Sequence, residues 1–415
     1  MKTRQFIILV LALLVSICFA EEEKTGYQVT ELAKNLYKLT VDGGGYDVKV
    51  LAFVGDDGLL LVETGQKNHA ENLKEILHSL QPGEPVYIIN SHEHTEHIGG
   101  NYIFDKSAII IGHENLRKTL TSGINLFSEF PAELLPEMTF SKPIILYFND
   151  EEIMIIPVID SHTNNDVMVW FTKSKVAYVG AVSNGNHFPS IDETGDVMKY
   201  KENVQKLLDI LPEDTLIIPG HGADGSMQDL RAFQNMLIDT EALVKKGLDD
   251  GKDLKTMQDE DLLKGYESFE SYTNKSIWIQ YLEEAFQEQP EQKEPIFEEL
   301  HLAMKAGGVD GAIMKYYELK EHQADKYRFY EFDLYSIAYR LNDANKQNEA
   351  IRFYELQIKE FPENIYLWYF YFSIGSIYES LEDLEKAKDN YKKALEIDPE
   401  NQDVKNALEE IEEKE

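Results

Sequence analysis

Asn90-Ser91-His92-Glu93-His94-Thr95-Glu96-His97-Ile98-Gly99-Gly100-Asn101 follows directly on the apolar run Val86 to Ile89. That run is short and apolar and is predicted to be a buried strand. Residues i and i+2 of an extended chain point to one side, so His92 and His94 can meet one ion where the chain leaves the strand. Glu96 and His97 lie on the turn beyond and can face a second position. Gly99-Gly100 would let the backbone turn tightly behind them. Three of the chain's 11 histidines stand within six residues here, too dense a cluster for incidental surface polarity. Imidazole with carboxylate suits zinc best among the common metals, with manganese and iron as alternatives.

Working outward, further strands are predicted at Val48 to Val54, Gly58 to Val62, Ala108 to Ile111, Ile153 to Val158, Val167 to Phe171, Val176 to Val179 and Leu216 to Ile218. Single helical stretches separate some of them, at Asn68 to Leu80, Glu114 to Leu120 and Lys199 to Leu211. Strands mixed with single helices predict a layered α/β domain. From Met227 to Gln289 the spacing of apolar residues turns helical. Beyond about Glu291 a repeat emerges. Tyr371, Ile374, Gly375, Tyr378, Ala387, Tyr391, Ala394 and Pro399 match the tetratricopeptide pattern. An earlier copy carries Leu334, Ile337, Ala338, Leu341, Ala350, Tyr354 and Pro362, with Gln357 where a small residue is expected. Small residues let paired helices approach, and neighbouring pairs stack to bury a shared face. Such arrays bind a protein or peptide partner or serve as a structural buttress. The predicted organisation is a signal peptide over 1–20, the α/β domain with its following helices over 21–290 and the helical repeats over 291–415.

Composition narrows the functional classes. Among 415 residues, 75 acidic side chains against 40 basic ones leave a formal charge of -35. That field repels a phosphate backbone, so nucleic acid is excluded as the expected partner. Lys2 and Arg4 precede an apolar run from Phe6 to Phe19, and small residues stand at Cys18 and Ala20. This is the pattern of a secretory signal cleaved after Ala20, with a lipoprotein signal at Cys18 as the alternative. No later stretch is long and apolar enough to span a bilayer, and a periplasmic or secreted location is expected. Cys18 is the sole cysteine, so a metal site in the mature chain must use His, Asp and Glu.

The segment His92-Glu93-His94-Thr95-Glu96-His97 resembles the His-x-His-x-Asp-His signature of the metallo-β-lactamase superfamily. The resemblance extends over about residues 25–290. Gly55-Asp56-Asp57-Gly58-Leu59-Leu60-Leu61-Val62-Glu63-Thr64-Gly65 is similar to the strand motif preceding the ligand loop. Ser161-His162-Thr163-Asn164-Asn165-Asp166 and Pro219-Gly220-His221-Gly222 resemble the segments that supply two further histidines. The resemblance implies a four-layer αβ/βα sandwich. It also implies one zinc held by His92, His94 and His162 and a second held by Glu96, His97 and His221. Three departures bear on that implication. Glu96 replaces the family's Asp, Ala181 stands where many relatives have a metal-bridging Asp or a Cys, and Glu63 replaces an Asp that supports the ligand loop. The expectation is therefore one complete zinc position and a weakened second one. The implied activity is hydrolysis of an ester, thioester, lactone or amide-type bond in a small-molecule substrate by metal-activated water, with Glu96 as the catalytic carboxylate. The alternative is a catalytically weakened metal-binding scaffold whose repeats hold a protein partner. His187, Asn184 and Tyr46 are candidate residues of the substrate rim.

Overall fold

β3 (Asp47–Gly55) shows how the core is built: its seven central residues are all buried. Val48, Val50, Ala52 and Val54 face one apolar cluster, and Leu51 and Phe53 face another. A strand buried on both faces needs a layer on each side of its sheet. In this computed structural model the described residues are 26–43, 46–104, 108–122, 134–183, 185–192, 194–287, 294–329, 331–362, 364 and 366–414. The predicted signal segment, with Cys18 and Ala20, lies outside the described residues, as does Asn184.

The first sheet runs β1 (Tyr27–Ala33), β2 (Leu36–Asp42), β3, β4 (Gly58–Val62), β5 (Pro85–Ile89), β6 (Ile109–His113) and β7 (Met138–Phe140), in that order. Its first half is an antiparallel meander, and from β4 onward the pairing is parallel. The second sheet contains β8 (Ile144–Phe148), β9 (Glu151–Pro157), β10 (Val167–Phe171), β11 (Val176–Gly180), β12 (Leu216–Pro219) and β13 (Gly225–Ser226). Here only β11 and β12 pair parallel. Between the sheets, Leu51, Phe53, Leu60 and Ile89 meet Ile153, Ile155, Val169 and Phe171. Leu73 and Leu77 of the helix Ala70–Leu80 cover the outer face of the first sheet. The helices Val197–Ile210, Met227–Asp249 and Lys275–Gln287 cover the second through Tyr200, Phe233 and Trp278. The result is the expected αβ/βα four-layer sandwich.

Parallel strands leave their C-terminal ends on one edge, where loops gather. The histidine segment follows β5 on that edge, and Pro219-Gly220-His221 ends β12 in the second sheet. β1, β2, β7 and β8 were not predicted from the apolar pattern. β1 and β8 lie at sheet edges, where Val29, Ile145 and Tyr147 are exposed, so no buried face announces them.

The C-terminal region is helical. It comprises Phe297–His322, with non-helical backbone at Gly307 and Gly308, then Glu331–Asp343, Gln347–Glu360, Leu367–Ser380, Leu384–Ile397 and Gln402–Lys414. A Cβ on Gly375 would lie 2.5 Å from the ring carbons of Tyr391, so the small residue is what lets these two helices meet. Gln357, the predicted misfit, is fully buried, and neither end of its amide has a hydrogen-bond partner. No helix among the described residues is long and apolar enough to cross a membrane.

Candidate metal centre

The ligand loop is pinned before any metal is considered. Ser91 N donates to Glu63 Oε1 at 3.0 Å. Thr64 N and Gly65 N both donate to the carbonyl of His97, at 2.8 and 3.1 Å. Asn101 ties Thr64 to Asn90: Thr64 Oγ1 donates to Asn101 Oδ1 at 2.8 Å, and Asn101 Nδ2 donates to Asn90 Oδ1 at 2.8 Å. Glu63 thus supports the loop despite being longer than the family's Asp, from a left-handed backbone with φ 67°. The two glycines act differently from expectation. Gly99 has an ordinary φ of -60°, so no unusual turn is needed. The requirement is close approach: a Cβ on Gly100 would overlap the carbonyl oxygen of Thr64.

Two triads of donors converge. His92, His94 and His162 form one group, and Glu96, His97 and His221 form the other; within each, one donor atom per residue lies within 4.8 Å of the rest. The hydrogen bonds fix which ring nitrogen is free to coordinate, because a carbonyl can only accept. His162 Nδ1 donates to Ser190 O at 2.7 Å, which leaves Nε2 as a lone pair 3.2 Å from His94 Nδ1. His221 Nδ1 donates to Asp47 O at 2.6 Å, which leaves Nε2 facing His97 Nε2 at 3.0 Å. His94 Nε2 donates to Asp192 Oδ2 at 2.6 Å, which turns Nδ1 toward His162. His92 Nδ1 contacts Ser91 Oγ at 2.9 Å, and its buried Nε2 has no hydrogen-bond partner. Ring nitrogens of four histidines thus face one another in pairs, with the buried orphan Nε2 of His92 beside them, an arrangement that a cation between them would satisfy. The donor set therefore fits a metal ion. Glu96 Oε1 lies 3.7 Å from His94 Nδ1 and 3.9 Å from His221 Nε2, between the two groups. The longer carboxylate does reach the second group.

Burial keeps three of the clustered imidazoles neutral. Burial, reinforced by neighbouring histidines, holds His92 and His97 well below the ordinary imidazole range, and pushes His162 down to about 4. Neutral imidazole is the form that coordinates. His94 differs: burial opposes its charge, but the Asp192 hydrogen bond and the negative charges of Asp192, Glu96 and Glu93 together outweigh it and hold the pKa up at about 9, so a metal there would displace a proton. A carboxylate–histidine pair of this kind orients a ligand and raises its basicity. Asp192 was not found in the sequence. It lies 98 residues from His94, and no local motif marks it. Asp47, whose carbonyl sets the His221 ring, was missed for the same reason.

The remaining predicted residues fall as follows. Tyr46 packs edge-on against His221, with ring centroids 5.3 Å apart, and against Tyr272 at 5.8 Å. His187 is half-buried and belongs to neither donor group. Ala181 is buried, and its carbonyl accepts from the Tyr200 hydroxyl.

Glu63 supplies a pH test. Burial pushes its carboxyl up to about 8. A carboxyl raised in the fold contributes stability that is full below its ordinary pKa and is lost as pH rises through about 8. In metal-free protein held in chelator, the melting temperature of Glu63→Gln should gain on that of the parent between pH 6 and pH 9. A difference that stays constant with pH would refute this role.

Comparison with known proteins places both regions. The Metallo-beta-lactamase superfamily model matches residues 43–221, and a Tetratricopeptide repeat model matches residues 369–401. Similar solved structures include a metallo-beta-lactamase from Pontibacter korlensis, at 16% identity and TM-score 0.44 over 51% of this chain and 98% of that one. The DIM-1 metallo-beta-lactamase is similar at 17% identity and TM-score 0.44, over 51% of this chain and 97% of that one. TMB-1 is similar at 18% identity and TM-score 0.44, over 52% of this chain and 98% of that one. Within the α/β domain, residues 43–221 thus match the metallo-β-lactamase superfamily, and a helical region with a tetratricopeptide match follows.

Proposed function

We propose that this chain is an exported zinc-dependent hydrolase that acts on an ester, thioester, lactone or amide-type bond of a small molecule. The observation that carries the reading is the pair of opposed imidazole nitrogens, at 3.2 Å in one group and 3.0 Å in the other. His92, His94 and His162 would hold one zinc. Glu96, His97 and His221 would hold a second more weakly, because Ala181 offers no side-chain donor. When bound, zinc supplies Lewis acidity, which acidifies water and polarises an acyl oxygen.

Glu96 stands between the two groups and is the carboxylate placed to take a proton from the attacking water. The water oxygen bonds to the acyl carbon, the bond to the leaving group breaks, and Glu96 returns its proton to that group. Tyr46 and Tyr272 form an aromatic wall beside His221. Glu96→Ala is expected to lower kcat by about 10²–10⁴-fold, the usual contribution of a general base, while elemental analysis still finds metal in the His92 group. If Glu96→Ala and His94→Ala both left hydrolysis of a chromogenic lactam, lactone and thioester panel unchanged, the reading would fail.

Ala181 favours a second reading, a metal-stabilised scaffold whose repeats hold a protein partner. Bound zinc, no turnover across the panel and a melting temperature that drops on chelation would select it. The proposed organisation is a cleaved signal over 1–20, the hydrolase domain over 21–290 and the repeats over 291–415. Export to a periplasm or beyond rests on the sequence of residues 1–20, and N-terminal sequencing of the mature protein tests it.

A further inference from the structure

The segment Phe188-Pro189-Ser190-Ile191-Asp192 addresses two histidines of one donor group at once. The Ser190 carbonyl fixes the His162 ring, Asp192 N donates to the His162 carbonyl at 2.9 Å, and Asp192 Oδ2 holds His94 Nε2 at 2.6 Å. Close packing keeps the segment there, since a Cβ on Gly195 would overlap the carbonyls of Ser161 and His162. The same Asp192 oxygen receives a cation from outside the α/β domain: Arg340 Nη2 lies 3.4 Å away, from the helix Glu331–Asp343 of the C-terminal region. Asp192 is 6% exposed and Arg340 15%, so solvent screens the pair little. Arg340 also lies over the ring of Phe297, at 5.7 Å from its centroid, and Phe297 is buried in the core of the helical region. A second bridge runs beside the other donor group. The Tyr366 hydroxyl donates to the Tyr272 carbonyl at 3.5 Å, and the Tyr272 ring packs on Tyr46 next to His221.

We propose that Arg340 is a positioning residue of the metal centre: through Asp192 it holds the His94 ring in its coordinating orientation, so the helical region completes the outer shell of the first zinc position. The inference rests on the reading of His94 as a zinc ligand. A carboxylate that accepts from a ligand histidine sets both its tautomer and its direction. A cation on the same carboxylate oxygen restrains it in turn. The repeats are then more than a buttress, because a partner or strain that displaces the helix Glu331–Asp343 also loosens the ligand set.

The test uses the full chain and compares Arg340→Ala, Arg340→Lys and the parent. Zinc affinity is read by chelator competition, geometry by the visible absorption of the cobalt(II)-substituted protein, and integrity by the melting temperature of the metal-free form. Arg340→Ala is expected to bind zinc about 10-fold more weakly, the lower end of what loss of an outer-shell partner costs, with an altered cobalt spectrum; its metal-free melting temperature also falls, because Asp192 loses a buried cation. Arg340→Lys keeps the cation and should recover most of the affinity and the parental spectrum. Parental affinity and spectrum in Arg340→Ala, with zinc still lost in His94→Ala, would overturn the proposal and leave the hydrolase reading intact. Equal loss in the Ala and Lys variants would also overturn it, since packing rather than charge would be responsible. A parent that binds no zinc would overturn both.

Discussion

Replacing His92 with alanine should empty the first donor group and lower hydrolysis by at least about 100-fold, the upper end of the cost of losing an outer-shell partner. His92 is 1% exposed and stands at the centre of the cluster, its ring 4.8 Å from that of His94, 4.4 Å from His97 and 5.2 Å from His162. Its Nε2 has no partner in the protein, so its removal breaks no hydrogen bond at that atom. The metal-free variant still loses the Ser91 contact and leaves a cavity, so its melting temperature should fall, and each protein is compared with its own metal-free form. The difference appears on adding zinc. A ligand that binds only the folded state stabilises by about 2.7 kcal/mol at 100 times its Kd. The parent should show that rise, and His92→Ala should show little of it at the same zinc concentration. An equal zinc-induced rise in both proteins would remove His92 from the ligand set.

The second large effect is expected at Gly100→Ala. A Cβ there would overlap the Thr64 carbonyl oxygen and lie 3.1 Å from Thr64 C and Cβ, so backbone itself has to move. Gly100 N donates to Gly65 O at 2.9 Å, and Thr64 N and Gly65 N hold the His97 carbonyl. Pushing the two segments apart strains bonds that are each worth about 1 kcal/mol, on top of an overpacking cost of about 1–3 kcal/mol. Denaturant unfolding of the metal-free variant should show a loss of about 2–5 kcal/mol from these terms together. Zinc binding should weaken too, because His97 rides on the displaced backbone. Gly307→Ala is the control: a Cβ there meets nothing within 4 Å, and its cost should stay within about 1 kcal/mol. Equal losses at both glycines would show that chain entropy, not the close approach to Thr64, sets the effect.

Much of this architecture was legible locally. β3, β4, β5, β10 and β11 carry apolar runs buried on both faces, so composition alone separates them from their surroundings. The edge strands β1 and β8 show Val29, Ile145 and Tyr147 to solvent, and their pattern is correspondingly weak. The repeat anchors were legible for a steric reason: Gly375 against Tyr391 is a small residue meeting a large one at fixed spacing. In the metal centre, the residue types and their order were readable, including Glu96 and Ala181 as departures. The reach of Glu96 was not, because it depends on where the short helix Thr95–Ile98 sets the side chain relative to His221.

The sequence by itself determined the donor chemistry: a strand end followed by His92, His94, Glu96 and His97, two later histidines in order, and no cysteine after residue 18. Only the tertiary structure decided how those donors are aimed. Asp192 meets His94 across 98 residues, Asp47 meets His221 across 174, and Arg340 meets Asp192 across 148. Ligand types are written into short segments, because one strand and one turn suffice to present them. Ring orientation, tautomer and the charge behind each ring depend on hydrogen-bond partners that approach from other layers, and only the folded chain brings those together.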